Sequence, residues 1–141
     1  MQNLVTIYCK NNRQFVQIPC GTSLQALYEQ LALDLPYPVI AARVNYKVQS
    51  LNFLIYKPKD IEFIDASSES GRRCYIRTLS MVMACAVREL WKDCDLRIEH
   101  PINKGFYCTI RESRDVAKEI TPELVAKLKN RMLQIIAENR P

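Results

Sequence analysis

Residues 4–8 (LVTIY) and 14–18 (QFVQI) alternate apolar and polar side chains with the period of a β-strand, and the polar KNNR between them reads as a turn. The pair predicts a β-hairpin. Gly21 then precedes Thr22-Ser-Leu-Gln25, the Thr-x-x-Gln spacing of a capping box, followed by Leu24, Leu27, Tyr28 and Leu31 on one helical face. The Asp34-Leu-Pro-Tyr-Pro38 segment is expected to stop that helix, because proline cannot continue it and pushes its neighbour towards extended backbone. Strand-like runs return at Val39–Asn45 and Ile61–Ile64, separated by a loop with Tyr46 at its start and Pro58 near its end.

Strand, strand, helix, strand, loop, strand is the order of a β-grasp fold. Ser67-Ser-Glu-Ser-Gly71 reads as a small-residue linker, dividing the chain into a domain over 1–66 and a segment over 67–141. Beyond it, Tyr75, Leu79, Val82, Met83, Ala86, Val87 and Leu90 recur at helical spacing, and the helix is expected to end near Trp91. Leu96–Glu99 and Phe106–Ile110 read as strands joined by a Pro/Asn/Lys/Gly turn. A last helix is signalled by Thr121 as N-cap, Pro122 in its first position and Glu123 in its first turn, with an apolar stripe at Leu124, Leu128, Met132, Ile135 and Ile136. The fold class expected is therefore α+β, in two parts.

Composition adds exclusions. The 141 residues are 48% hydrophobic and 25% charged, an ordinary globular balance in a chain long enough to bury about two-thirds of its unfolded surface. There is no apolar run of transmembrane length, and the first residues lack the apolar core of a signal peptide, which points to a cytoplasmic protein without a membrane role. A net charge of +5 suits attraction to anions such as RNA phosphate. The six cysteines form no C-x-x-C pair, and His100 is the single histidine, so no zinc-ligand spacing exists and reduced thiols are expected. The three glycines, Gly21, Gly71 and Gly105, open neither a P-loop nor a dinucleotide-binding turn, so no cofactor is expected in this chain.

Two resemblances sharpen this. Gly21, Thr22, Ser23 and Leu27, then Ala41, Ala42, Val44 and Asn45, then Ile61–Ile64 resemble the TGS domain shared by threonyl-tRNA synthetases, stringent-response synthetases and certain GTPases. The helix GRRCYIRTLSMVMACAVREL with Ile98–Ile110 resembles the second accessory domain of threonyl-tRNA synthetases, which in those enzymes hydrolyses mischarged tRNA. That domain uses two histidines one helical turn apart, and the matching positions hold Arg77 and Met81. An arginine stays cationic and a thioether moves no proton, so the resemblance implies the scaffold without its catalytic residues. Candidates for ligand or anion contact are Arg72, Arg73 and Arg77, in the first turns of a helix where the dipole disfavours cations, together with His100, Lys104 and Tyr107 around a turn. Arg88, Arg111 and Arg114 extend the basic set. The alternative is a solvated face whose arginines pair with Glu69 or Glu99, and a histidine that merely ends a strand.

The pattern Gly71-Arg-x-x-Tyr75-x-Arg77-Thr78-Leu79 with Ile98-Glu99-His100 and Lys104–Cys108 is similar to the N-terminal half of long bacterial uridine (nucleoside) kinases. That resemblance implies a non-catalytic accessory region, cut short at its C-terminus, whose partner is a downstream P-loop kinase domain using ATP and magnesium. RNA or small-ligand contact and homo-oligomer formation are further roles it allows. The alternatives are the tRNA-contacting, editing region of a threonyl-tRNA synthetase and a free-standing binding module.

Overall fold

The computed structural model describes residues 3–112 and 116–140. Among these it shows an α+β chain that folds as two compact units, residues 1–76 and 77–141. The helix Glu69–Leu90 contributes residues to both.

In the first unit β1 (Leu4–Cys9) and β2 (Gln14–Pro19) form the expected hairpin, with Tyr8 opposite Phe15 and Thr6 opposite Gln17. Val5, Ile7 and Cys9 point inward while Leu4 and Thr6 face water, as the alternation requires. The short β3 (Thr22–Ser23) leads into α1 (Leu24–Leu31). Ser23, not Thr22, caps that helix: its hydroxyl accepts from the Ala26 amide at 3.2 Å, while the Thr22 hydroxyl donates back to the Pro19 carbonyl at 2.7 Å. Gln25 likewise serves no capping box, since its amide donates to Glu29. The helix also stops before the prolines. Ala32 adopts a left-handed conformation (φ 45°) and returns its amide to the Tyr28 carbonyl, so a C-terminal cap ends the helix ahead of Pro36.

Strands β4 (Ala41–Val44), β5 (Lys47–Gln49), β6 (Leu54–Ile55) and β7 (Asp60–Ile64) complete the unit. The main sheet runs β2-β1-β7-β4-β5, with β1 and β7 parallel at its centre, and β3 pairs with β6 at the side. This is the β-grasp arrangement. Leu24 and Leu27 of α1 close over Ile7, Ile18, Ile55, Ile61 and Phe63 as one apolar core, which leaves the opposite face of the sheet open within this unit.

The end of β7 is tied to the next helix through Asp65, which is buried. Its carboxylate accepts from the Tyr37 amide at 3.1 Å and from the Ser67 amide at 2.8 Å and hydroxyl. These donors, the Ser67 hydroxyl first, hold the Asp65 carboxyl below its ordinary 3.8. Ser68 caps α2 (Glu69–Leu90): its hydroxyl accepts from the Gly71 amide at 3.0 Å and donates to the Asp65 carbonyl at 3.2 Å. Residues 69–71, which their small side chains mark as linker, are thus helical.

In the second unit, α2 from Arg77 packs with a β8 (Cys94–Ile102)–β9 (Gly105–Glu112) hairpin and α3 (Pro122–Ala137). Ala86, Val87, Cys94, Ile110, Leu128 and Ile135 are its buried core. Leu79 and Ile136, assigned to apolar stripes by spacing, are exposed, as is Tyr75 on the part of α2 that belongs to the first unit. Thr121 caps α3 by accepting from the Leu124 amide at 3.2 Å, with Pro122 in its first turn. Glu89 on α2 receives Arg131 of α3 and Arg140, both at 2.6 Å, and the two guanidiniums, Arg140 first, hold its carboxyl below the usual range. No helix among the described residues is long and apolar enough to cross a membrane.

Candidate functional site

The sequence-derived candidates lie on two elements, the start of α2 and the β8–β9 hairpin. Arg72 and Arg73 belong to the first unit and Arg77 to the second, all exposed on α2. Arg73 reaches Glu69 one turn earlier at 3.5 Å, an exposed pair contributing at most a few tenths of a kcal/mol. Among the described residues no carboxylate lies within ion-pair distance of Arg72 or Arg77. Glu99, the other acid considered for these arginines, instead receives Arg111 at 3.8 Å and the Thr109 hydroxyl at 3.1 Å. Arg114 lies outside the described residues.

His100 and Tyr107 come together on the β8–β9 hairpin, their rings stacked at 5.4 Å with 25° between planes. A register shift between Ile98 and Pro101 puts His100 at a bulge, and Asn103 with φ 52° makes the tight turn that carries Lys104. Among the described residues no hydrogen bond orients the imidazole, and none of them group three His, Cys, Asp or Glu side chains at metal-binding distance. Cys108, opposite Ile98 on β9, is a poor nucleophile, because burial and the Glu99 carboxylate push its thiol up from the ordinary 9.0. Met81 projects into solvent one turn beyond Arg77, so the α2 positions matching the histidine pair present a guanidinium and a thioether.

A concavity lies elsewhere, on the open face of the first unit's sheet. It is a groove of about 440 Å³. Thr6, Tyr8 and Lys10 enter it from β1 and the turn after it, and Phe15 from β2. Asn45 and Tyr46 come from the β4–β5 turn, Pro58 and Lys59 from the loop before β7, and Asp60 from its first position. Parallel pairing of Tyr8 with Asp60 and antiparallel pairing of Tyr8 with Phe15 bring these sequence-distant residues together. Asn45, in left-handed backbone (φ 54°), exchanges hydrogen bonds with Asp60, its amide donating to the Asp60 carbonyl at 2.7 Å and its side chain accepting from the Asp60 amide at 3.1 Å. That clamp fixes the turn from which Tyr46 projects. Tyr8 and Phe15 pack at 4.9 Å with 43° between planes, and Phe15 remains 76% and Tyr46 93% exposed. No motif in the sequence marks these residues as a site. The one signal they carry is that Phe15 and Tyr8 occupy the hairpin positions that alternation assigns to water, where polar side chains are the rule.

No protein-family model matches the chain. It is similar to threonine–tRNA ligases: 29% identical to that of Clostridium kluyveri over 136 residues, 96% of this chain and 21% of the relative. Against the Syntrophomonas wolfei enzyme it is 31% identical over 138 residues, 98% of this chain and 21% of the relative. Against the Streptomyces avermitilis enzyme it is 34% identical over 97 residues, 69% of this chain and 14% of the relative. The chain thus spans about a fifth of the length of the first two.

Proposed function

We propose that this chain is an accessory region of the threonyl-tRNA synthetase type that contacts RNA and leaves aminoacyl-ester hydrolysis to other residues. The observation carrying this reading is the similarity to threonine–tRNA ligases along nearly the whole chain, through both units. The net charge of +5 supplies attraction for phosphate, as do Arg72 and Arg77, which have no carboxylate partner among the described residues. Arg77 and Met81 offer neither a base nor a metal-ligating imidazole at the positions where the editing scaffold holds its histidines.

The nucleoside-kinase parent rests on the motif around Gly71–Leu79 and Ile98–Cys108 alone, and the relatives named above are ligases, which favours the synthetase-type reading. The test is a filter-binding titration with tRNA at low and high salt, run beside a deacylation assay on mischarged tRNA. Binding that weakens steeply with salt, without deacylation, is expected. Absent or salt-insensitive binding removes the RNA role, and deacylation removes the non-catalytic assignment.

A further inference from the structure

We infer that the groove on the open β-grasp face binds a single-stranded segment of RNA, with bases stacked on Tyr8–Phe15 and Tyr46 and phosphates held by Lys10 and Lys59. This rests on the RNA-contact reading above and gives it a place. Folding does not account for the groove's aromatic rings. Tyr46, 93% exposed, adds almost nothing to the core, yet the Asn45–Asp60 clamp holds its turn in one conformation. Rings presented on a sheet face and standing in water are platforms for unstacked bases, each of which offers a π face.

Charge selects among occupants. Lys10 and Lys59 flank the rings, and a protein surface laid over them must desolvate two ammonium groups, whereas a phosphate backbone neutralises them and releases its own counterions. Asp60, the carboxylate on the same rim, keeps phosphate from that end and is placed to accept hydrogen bonds from a base edge. About 440 Å³ lies in the range of small-ligand sites and suits one or two nucleotides.

The test is fluorescence anisotropy of a labelled single-stranded RNA about eight nucleotides long, against its duplex, at about 50 and about 200 mM salt. Tyr46→Ala and Phe15→Ala are each expected to weaken single-strand binding about tenfold, 1.4 kcal/mol, the scale of one lost stacked base. The double variant Lys10→Ser, Lys59→Ser is expected to reduce the slope of log affinity against log salt by about 1.4, some 0.7 per phosphate released. Equal melting temperatures of Tyr46→Ala and the unmodified chain establish that the fold is intact. If the groove variants bind normally while Arg72→Ser with Arg77→Ser abolishes binding, the groove assignment falls and the RNA reading stands. If no RNA binds, tRNA included, both fall. Duplex bound as tightly as single strand overturns the stacking, and self-association lost in Tyr46→Ala without RNA binding makes the occupant a second copy.

Discussion

Replacing Gly71 by alanine sets two well-understood effects against each other, and the structure decides the sign. Gly71 is the third residue of α2, and in an unconstrained helix Gly→Ala stabilises by roughly 0.5–1 kcal/mol. Here a Cβ lands 1.7 Å from the Asp65 carbonyl oxygen, 2.6 Å from its carbon and 3.0 Å from the Ser68 hydroxyl. Reaching even a tight contact of 3.0 Å requires the oxygen and the helix to part by 3.0 − 1.7 = 1.3 Å. The Asp65 backbone is not free to yield, because Ser68 donates to that same oxygen and the side chain is held by Ser67 and Tyr37. Forced overpacking costs about 1–3 kcal/mol and loss of the Ser68 cap a further 0.5–2 or so. Subtracting the helical gain leaves a net loss of about 0.5–4.5 kcal/mol. Urea unfolding followed by circular dichroism, compared at constant m, measures it, and a loss of about 2 kcal/mol lowers the melting temperature by roughly 8–16 °C in a unit of this size. Gly105→Ala is the internal control: its nearest neighbour is the Ile102 carbonyl at 3.9 Å, so stability stays within about 0.5 kcal/mol. A Gly71→Ala variant as stable as the parent, or more so, refutes the tight approach of Asp65 to the helix.

Three other outcomes are expected. Ile61→Ala, at a fully buried position between β1 and β4, should lose about 2–5 kcal/mol in the same urea assay. Thr121→Ala should cost about 0.5–2 kcal/mol through the exposed Leu124 amide, and Thr121→Ser should restore most of it. Because the folded Asp65 carboxyl titrates below its ordinary 3.8, its contribution to stability is complete above that value and disappears as pH falls through the depressed folded one. The stability gap between the parent and Asp65→Asn should therefore narrow from pH 6 towards pH 2–3, and a gap constant with pH contradicts the assignment.

The sequence and the structure agree where the chain's own periodicity carries the information. The β1–β2 hairpin, the apolar face of α1 and the Thr121–Pro122 start of α3 all follow from side-chain spacing and cap chemistry. Strands β3, β5 and β6, two or three residues each, are too short to show a period and exist through backbone pairing. Ser23 displaces Thr22 as cap because the neighbouring hydroxyl already has a partner in Pro19. The groove is illegible for a related reason. Tyr8, Phe15, Tyr46 and Lys59 are scattered over 52 positions (59 − 8 + 1), and only the strand order β2-β1-β7-β4-β5 brings them side by side. The arginine and histidine candidates are visible because they cluster in sequence, which does not by itself place them in one site.

The parallel pairing of β1 with β7 also constrains how the protein is made. Strand β1 leaves the ribosome before its central neighbour, which begins at Asp60 after 50 intervening residues (60 − 9 − 1). At roughly 5–20 residues per second the nascent β1 waits about 3–10 s for that partner. Hairpin formation with β2 shields only one edge meanwhile, leaving Val5, Ile7 and Cys9 without their final cover. A chaperone that holds extended apolar segments therefore has its natural opening at residues 4–9, and synonymous changes that slow translation between codons 20 and 60 should raise aggregation without altering a single native contact.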